Sequence, residues 1–404
     1  MKILFLHNNF PAQFGALGQY LAREGWEVTF MTQREGASAE GIDTVVYRDR
    51  EAPAGTKPHP LTNAITKAVV TGASAVEVAE VLRAKRDYRP DVVMAHSGWG
   101  PGMALKDVWP DAAYAGYYEW YYRGAAEDIA YLGGEESTAL RRARERFRNM
   151  PILTDLTACD AGLVPTRYQA STFPALFRRK LTVMHDGIDT DTYAPGDPGP
   201  VELGGHTFRR GEETLTYVAR GMEPYRGFPA FMAALAEVQK RRPEMRAIIV
   251  GEDRVAYGKA HPSGRSYKTV ALEELDIDQS RVVFTGLLPR RDYLRVLQVS
   301  AVHTYLTVPF VLSWSSMEAM SASCLMLASD VAPVREMMRD GENALLVDHR
   351  DPRALANRME EALARREELT PLRRAARERI TSAYAARDVY PAKKIWLAGL
   401  AGER

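Results

Sequence analysis

Short apolar segments alternate with amphipathic helical segments along almost the whole chain, and this alternation limits the fold more than any other feature. Strands that alternate with helices are typical of a parallel sheet covered by helices on both faces. The first half is therefore predicted to be a doubly wound α/β domain. Its seven strand candidates are 3–7, 28–32, 44–47, 92–96, 113–119, 161–166 and 181–187.

The same alternation resumes in the second half, after a segment rich in proline and glycine at 193–205. Such clusters typically mark linkers between domains. The strand candidates of the second series are 214–219, 246–251, 281–286, 302–307, 325–330 and 344–348. We therefore predict two Rossmann-like, doubly wound α/β domains, at 1–195 and 196–384, that face each other across a central cleft. The remaining residues, 385–404, are predicted to be a helical segment that packs back on the first domain.

Length and charge agree with two domains and give no sign of a nucleic-acid partner. The chain has 404 residues, too many for one ordinary core, and its 53 basic and 52 acidic residues leave almost no net charge. The two cysteines, Cys159 and Cys324, lack the close spacing of a zinc site or a disulfide framework. Because no apolar stretch reaches the ~20 residues of a membrane-spanning helix, we expect a cytoplasmic protein.

Ligands of open α/β sheets bind beyond the carboxyl ends of the strands, so the residues that follow the strands are the first candidates for a site. Gly15 and Gly18 follow the first strand and permit a close approach of the backbone. The G-x-G-x-x-G pattern of dinucleotide-binding proteins is absent there, which argues against NAD. His96 ends the fourth strand beside three glycines, where its ring can reach a ligand. A purely structural histidine is the alternative.

Two arginines follow the first strand of the second series. Arg220 and Arg226 stand six residues apart across a turn that contains Pro224 and closes at Gly227. Guanidinium groups at the mouth of a strand can bind a diphosphate bidentately and neutralise its charge. Solvated surface arginines are the alternative interpretation.

An acidic residue, Glu318, stands where a strand is followed by a helix, in the sequence TVPFVLSWSSMEAM (307–320). Pro309 ends the strand, and Ser313 or Ser315 is suited to cap the helix. A helix that begins at a strand end directs N–H groups and a partial positive charge at a ligand, which favours a phosphate or a sugar hydroxyl. The alternative is a capped helix whose first turn carries a favourable acidic residue.

Six segments, taken together and in this order, resemble the retaining glycosyltransferases of family 4, which have the GT-B fold. They are the loop with Gly15, the segment that ends at His96 and Ser97, HDGIDTDTYAP (185–195), YVARGMEPYRGF (217–228), IIVGED (248–253) and the stretch 317–348. The resemblance spans nearly the whole chain. It implies a hexosyltransferase-type enzyme that uses a nucleoside-diphosphate sugar as donor.

The resemblance also assigns roles to individual residues. Arg220 matches the family's arginine after the first strand of the second domain, and Arg226 falls where a lysine is usual. Both are expected to contact the donor diphosphate and to stabilise its charge as it leaves. His96 matches a histidine close to the donor sugar. Gly15 lies in the loop that approaches the diphosphate and the acceptor, and Gly251 lies in the IIVGED segment on the donor side.

Glu318 matches the second glutamate of the family's E-x7-E motif, which commonly binds the nucleotide ribose. The main departure is Phe310, which stands where the motif has its first glutamate, the residue that normally contacts the donor sugar. Phe310 can supply only a ring face or a backbone N–H group there. Val311 and Leu312 stand where the family has a glycine-rich backbone cradle for the donor.

Acceptor recognition is expected in the first domain, from the segment YYEWYYRG that follows the fifth strand candidate. Glu119, Trp120 and Tyr122 combine a carboxylate with aromatic rings, which stack on sugar faces or fill a core equally well. Basic runs at 141–149 and 177–180 could meet an anionic lipid at the inner membrane face or a phosphorylated acceptor. A solvated helix face is the alternative.

The mechanism implied is metal-independent transfer of a sugar, with retention at the anomeric carbon, to a glycan, lipid-linked or small-molecule acceptor. The Asp-x-Asp pairs at 189–191 and 276–278 lie in a turn and a polar loop, and neither is interpreted as a metal site. No cofactor besides the nucleotide sugar is expected. Three alternatives stay open: a sugar-nucleotide epimerase of the same fold, a catalytically silent nucleotide-sugar-binding homologue, and an NAD-dependent oxidoreductase, which the missing fingerprint disfavours.

Overall fold

Residues 1–50, 59, 61–124, 127–133 and 138–402 of the chain are described by a computed structural model. They form two units. The first takes in Met1–Ala126, Glu135–Asp186 and Arg387–Arg404, and the second takes in Glu127–Gly134 and Gly187–Ala386. Each unit is built on its own parallel sheet, as the alternation of strands and helices predicts.

The first unit contains a seven-stranded sheet in the order β3-β2-β1-β4-β5-β6-β7, and every pairing in it is parallel. Its strands are β1 Lys2–Leu6, β2 Glu27–Thr32, β3 Ile42–Val46, β4 Val92–His96, β5 Ala113–Tyr117, β6 Ala161–Val164 and β7 Leu181–Val183. The seven strand positions predicted from the sequence are confirmed. The strand order reverses between β1 and β4, which is where doubly wound sheets bind ligands.

The helices of the described residues cover the faces of the two sheets. They are α1 Gly15–Arg23, α2 Asn63–Lys85, α3 Leu105–Val108, α4 Glu127–Tyr131, α5 Ala139–Arg148, α6 Met150–Ala158, α7 Arg167–Thr172, α8 Ala175–Arg178, α9 Phe228–Arg241, α10 Tyr267–Glu274, α11 Arg290–Val299, α12 Trp314–Ser321, α13 Ala332–Arg335, α14 Pro352–Ala364, α15 Thr370–Ala383 and α16 Ala386–Gly402. None of these described helices combines the length and the apolar character needed to cross a bilayer.

Apolar side chains cover both faces of the first sheet, because alternate residues of a strand point to opposite sides. Ile3 and Phe5 pack on the face that also buries Leu397 of α16. Leu4 and Leu6 pack on the other face. The last helix of the chain is therefore part of the core of the first unit.

The second unit contains a six-stranded parallel sheet in the order β12-β11-β10-β13-β14-β15. Its strands are β10 Thr214–Gly221, β11 Arg246–Glu252, β12 Val282–Gly286, β13 Val302–Tyr305, β14 Met326–Ser329 and β15 Leu345–Val347. These six positions also confirm the sequence prediction. A separate antiparallel pair, β8 Val201–Leu203 and β9 His206–Phe208, precedes the sheet, so the proline- and glycine-rich segment 193–205 contains a strand.

One short helix, α4, belongs to the second unit although the neighbouring parts of the chain belong to the first. The hydroxyl of Tyr131 in α4 donates a hydrogen bond to Oδ1 of Asp348 over 3.0 Å. The guanidinium carbon of Arg350 lies 4.4 Å from the centre of the Tyr131 ring. Asp348 directly follows β15, so α4 lies against a loop at the carboxyl edge of the second sheet.

Candidate functional site

The turn after β10 contains a fully buried glutamate that the sequence analysis did not single out. Glu223 is 0% exposed, and its carboxylate accepts hydrogen bonds from the backbone N–H groups of Ala256, Tyr257 and Gly258 over 2.9, 2.9 and 2.6 Å. These three residues lie in the loop after β11. Glu223 therefore ties together the loops that follow two neighbouring strands. The available sequence signal was an acidic residue directly beyond a strand end, between Gly221 and Pro224.

Arg226, at the end of the same turn, has a buried guanidinium that is held by the loop after β13. One terminal nitrogen donates to the hydroxyls of Thr307 and Tyr305 over 2.9 and 3.2 Å, and the other donates to the carbonyl of Val311 over 3.1 Å. The Tyr257 ring centre lies 5.1 Å from the guanidinium carbon. A guanidinium has five N–H donors, so these three bonds do not exhaust it. Arg226 is thus a fixed cation at the carboxyl edge of the sheet.

Arg220 lies in the last part of β10 and has an exposed side chain, in contrast to Arg226. The two predicted diphosphate ligands therefore share one strand end but differ in surroundings. The exposed guanidinium of Arg220 can move towards a bound anion, whereas the buried guanidinium of Arg226 is held in position before an anion binds.

Phe310, which stands where the family motif has its first glutamate, belongs to a cluster of aromatic rings. The Phe310 ring meets the Tyr225 ring edge-on, with ring centres 5.5 Å apart, and its centre lies 5.4 Å from that of Tyr257. Val311 presents its carbonyl to Arg226 as described, and the Leu312 side chain is buried in the core of the unit. This loop therefore combines apolar ring faces with a backbone that is anchored by a cation.

The helix that carries Glu318 is capped as predicted. Ser313 is the N-cap residue of α12, its hydroxyl accepts from the N–H of Ser315, and its own N–H donates to the Tyr305 hydroxyl over 2.9 Å. Glu318 is the fifth residue of α12, beyond the first turn. Its position therefore differs from that of a simple first-turn acidic residue.

The Glu318 carboxyl lies beside two tyrosine hydroxyls, those of Tyr293 and Tyr193. Burial raises the pKa of the Glu318 carboxyl above its ordinary value, while the two hydroxyls and the nearby charge of Arg290 oppose that shift. The carboxylate is thus a partly buried acceptor surrounded by hydroxyl donors. A carboxylate accepts hydrogen bonds, so a ligand hydroxyl can bind to such a group.

Gly251, the residue before the last one of β11, has a backbone conformation that requires glycine. Its φ is +141°, and a Cβ atom there would lie 1.9 Å from the carbonyl oxygen of Ala219 in β10. Only a residue without a side chain permits this approach. Gly251 therefore sets where the loop after β11, the partner of Glu223, leaves the sheet.

In each Asp-x-Asp pair, an aspartate carboxylate accepts hydrogen bonds from other groups of the protein. Asp189 accepts from Thr192 and from Arg290, and Asp278 accepts from Ser280. Within the described ranges, no group of three or more histidine, cysteine or acidic side chains is placed to hold a metal ion.

The first unit has a second polar cluster at the carboxyl ends of β1, β4 and β5. The rings of His96 and Trp99 are stacked with their centres 4.2 Å apart. Nε2 of His96 lies 3.3 Å from a carboxylate oxygen of Glu119, and Gln13 donates to the other oxygen over 2.7 Å. The predicted residues His96 and Glu119 are thus brought together, at the point where the strand order of the sheet reverses.

His7, directly after β1, belongs to the same cluster and was not singled out from the sequence. Its ring centre lies 4.8 Å from that of His96. Burial, followed by the proximity of His96, lowers the pKa of His7 to about 2, so the imidazole is neutral at physiological pH. The sequence signal was its position at the end of the first strand candidate.

The other predicted residues of the first unit lie apart from this pair. Gly15 begins α1, and a Cβ atom on it would lie 2.3 Å from Cβ of Pro11, so it permits the loop after β1 to fold against the helix start. Trp120 is buried, and Tyr122 packs under Arg148, whose guanidinium carbon lies 3.6 Å from the ring centre. These contacts give Trp120 and Tyr122 packing surroundings, unlike Glu119.

Two protein-family models match the chain. The model described as glycosyl transferase family 4 group matches residues 24–193, and the model described as glycosyl transferases group 1 matches residues 212–365. The family resemblance inferred from the sequence motifs is confirmed by these matches.

Individual proteins that are similar to the chain support the same family. Alpha-maltose-1-phosphate synthase of Mycolicibacterium smegmatis is 26% identical over 200 residues, which cover 48% of this chain and 49% of the relative. The chain thus spans about half the length of the curated relatives it matches. Sucrose-phosphate synthase from Thermosynechococcus elongatus superimposes with a TM-score of 0.73 at 18% identity, and the match covers 100% of both chains. HepE from Anabaena, solved with UDP-glucose, gives a TM-score of 0.69 at 14% identity over 99% of this chain and 100% of that one. At such identities the solved structures show a shared fold.

Proposed function

Because the chain belongs to family 4 of the glycosyltransferases and has the GT-B fold class, we propose that it transfers a sugar from a nucleoside-diphosphate sugar to a hydroxyl of an acceptor. The observation that carries the proposal is the fixed guanidinium of Arg226 at the carboxyl edge of the second sheet. A fixed cation at such an edge suits a diphosphate. HepE was solved with UDP-glucose, which makes nucleoside-diphosphate hexoses the first donors to test.

In the proposed reaction, the bond between the anomeric carbon and the diphosphate oxygen breaks, the acceptor hydroxyl gives its proton to the leaving diphosphate, and the acceptor oxygen bonds to that carbon with retention. The transition state resembles an oxocarbenium ion, and negative charge develops on the leaving diphosphate. Arg226 and the exposed Arg220 would stabilise that charge. The N-terminus of α12 adds oriented N–H groups and a partial positive charge. We therefore propose a reaction that needs no divalent metal ion.

The remaining donor contacts are proposed from the same edge of the second sheet. The Glu318 carboxylate would accept a hydrogen bond from a ribose hydroxyl, beside the hydroxyls of Tyr293 and Tyr193. The ring face of Phe310 and the backbone of Val311 and Leu312 would line the donor. Gly251 would allow the loop after β11 to approach it closely.

In the first unit, His96 and Glu119 are the proposed polar contacts to the transferred sugar or the acceptor. Nε2 of His96 lies 3.3 Å from a carboxylate oxygen of Glu119, at the carboxyl ends of β4 and β5. The stacked Trp99 orients the His96 ring. Gly15 is proposed to give the backbone of the loop after β1 access to the substrates. Trp120 and Tyr122 have packing surroundings, so they are proposed to support the acceptor side and not to contact the acceptor themselves.

We also propose a cytoplasmic location and a peripheral contact of α5 with an anionic membrane face. The helix exposes Leu140, Arg144 and Arg146. Basic and apolar side chains on one helix favour anionic lipid surfaces. Binding to vesicles that contain anionic lipid, and not to neutral vesicles, would support this contact.

The proposed function is tested by incubating the protein with nucleotide sugars and sugar acceptors in EDTA. Release of a nucleoside diphosphate that depends on the acceptor, and a product whose anomeric configuration by NMR matches that of the donor, are expected. A product of inverted configuration would contradict retention. Conversion of the donor sugar to its epimer without any acceptor would favour the epimerase alternative. Binding without turnover against a broad acceptor panel would favour the silent homologue.

A further inference from the structure

The short helix α4 brings a buried carboxylate to the proposed donor side of the second unit. Asp128 is 6% exposed. Its Oδ2 atom accepts a hydrogen bond from the Tyr225 hydroxyl over 2.7 Å. Its Oδ1 atom is buried and has no hydrogen-bond partner among the residues that the structure describes.

A buried carboxylate oxygen without a hydrogen bond is unfavourable, because the water it loses is not replaced. A carboxylate only accepts hydrogen bonds, so the missing partner is a donor. Another buried carboxylate of the unit, that of Glu223, is satisfied in this way by three backbone N–H groups. Oδ1 of Asp128 is therefore suited to a donor group on a bound ligand.

The surroundings of Asp128 indicate which ligand group this is. Its partner Tyr225 is the residue before Arg226, and the Tyr225 ring meets the Phe310 ring edge-on at 5.5 Å. A carboxylate beside aromatic rings suits a sugar, since the rings contact its C–H groups and the carboxylate accepts from its hydroxyls. Phe310 itself offers no carboxylate at this place.

The helix that presents Asp128 is held at its other end as well. Tyr131 donates to Asp348, and its hydroxyl also lies 3.2 Å from Nδ1 of His349. His349 is buried and its Nδ1 atom lies 2.8 Å from the hydroxyl of Ser329 at the end of β14. Asp128 is thus positioned by contacts to the loops after β10 and β15, which reduces the ordering needed on binding.

We propose that Asp128 is a specificity-determining residue for the donor, whose Oδ1 atom accepts a hydrogen bond from a hydroxyl of the donor sugar. Asp128 thereby supplies, from a segment distant in sequence, the carboxylate that Phe310 lacks. This inference rests on the proposed function.

The experiment compares the wild type with Asp128→Asn by calorimetric titration in EDTA and without any acceptor. The probes are UDP, ADP and GDP and their glucose and mannose conjugates. We expect Asp128→Asn to bind the nucleoside diphosphate within about 2-fold of the wild type, and its sugar conjugate about 10- to 100-fold more weakly. Glu127→Gln removes a neighbouring exposed charge of α4 and is expected to leave both affinities unchanged.

Analogues of the bound conjugate that lack one sugar hydroxyl separate a direct contact from a general disturbance of α4. One analogue is expected to bind the wild type about 10- to 100-fold more weakly but to bind Asp128→Asn nearly as well as the parent conjugate does, because the shared contact is already lost. Equal losses in both proteins for every analogue would overturn the inference, as would an unchanged conjugate affinity or an equal loss of diphosphate affinity in Asp128→Asn. If the wild type binds none of the nucleoside diphosphates, the proposed function itself fails.

Discussion

Glu223 shapes the candidate donor site although both of its carboxylate oxygens are occupied by backbone N–H groups. A buried carboxylate of this kind tolerates substitution less well than an exposed one, because its loss leaves buried backbone N–H groups without hydrogen-bond partners. At the residue scale, the site is thus built from groups that hold loops as well as from groups that can meet a ligand. Arg226 combines the two roles.

Glu223→Gln is expected to lower the free energy of unfolding by about 2–3 kcal/mol, because the amide group would oppose N–H donors with a further donor. Chemical denaturation of the purified variant measures this. Glu252→Gln is the control, since its ion pair with Arg254 is exposed and such pairs contribute less than about 1 kcal/mol. Equal stability of the two variants would show that the three N–H contacts of Glu223 do not stabilise the fold.

Arg226→Lys is expected to weaken nucleoside diphosphate binding about tenfold, although it keeps the charge. A lysine ammonium group cannot span the hydroxyls of Thr307 and Tyr305 and the carbonyl of Val311 as the planar guanidinium does. Titration calorimetry measures the change. Arg220→Lys, at the exposed position near the end of β10, is expected to have a smaller effect, and the reverse order would contradict the anchoring role of Arg226.

At the scale of elements, the last helix is held to the first unit by a buried ion pair. Nζ of Lys393 in α16 lies 3.4 Å from a carboxylate oxygen of Asp186, which also accepts from the Tyr117 hydroxyl at the end of β5. Lys393 is 2% exposed. The contact links α16 to the strand that lies next to β4 and the cluster around His96.

Lys393→Met is expected to destabilise the protein by about 3–5 kcal/mol, because it leaves the buried Asp186 charge without its partner. The double variant Lys393→Met/Asp186→Asn is expected to recover part of this loss. Lys394→Met is the control, since its ion pair with Glu24 is partly exposed. Thermal unfolding of the three variants tests this prediction. Equal midpoints for Lys393→Met and Lys394→Met would contradict a stabilising role of the buried ion pair.

The loop after β4 is tied to α6 by Asp155, which accepts from Ser97 over 2.6 Å and from Tyr114 over 2.8 Å. Burial raises the pKa of Asp155 to about 6 from 3.8, although these hydrogen bonds oppose the shift. Between these values the folded protein binds a proton that the unfolded chain does not. Asp155 therefore contributes stability below about pH 4 that is lost as the pH rises through about 6.

Asp155→Asn removes this titration. The wild type is expected to lose about 2 kcal/mol of stability relative to the variant between pH 4 and pH 7, since each unit of the pKa shift is worth about 1.4 kcal/mol and part of the shift is already lost at pH 4. The buried histidines are common to both proteins, so they cancel in the difference. Denaturation at several pH values measures it, and a difference that does not change with pH would contradict the raised pKa.

At the scale of the whole molecule, the strands of both sheets could be predicted because each is a short apolar run with its own local signal. The cap at Ser313 and the positions of His96 and Arg226 at strand ends were readable for the same reason. Asp128 was not, since its partner Tyr225 lies 97 residues away in the chain and α4 is too short to show a helical period. Glu223 and Glu119 can be recognised in the sequence as acidic residues. Their partners could not be predicted, because these depend on how the loops meet.

The central claim is that the second unit binds a nucleoside-diphosphate sugar at the carboxyl edge of its sheet without a metal ion. Calorimetric titration of the wild type with UDP, ADP, GDP and NAD, in EDTA and again with Mg²⁺, tests this most directly. We predict saturable binding of one nucleoside diphosphate with the same affinity under both conditions. Binding of NAD alone, or nucleoside diphosphate binding that appears only with Mg²⁺, would contradict the account.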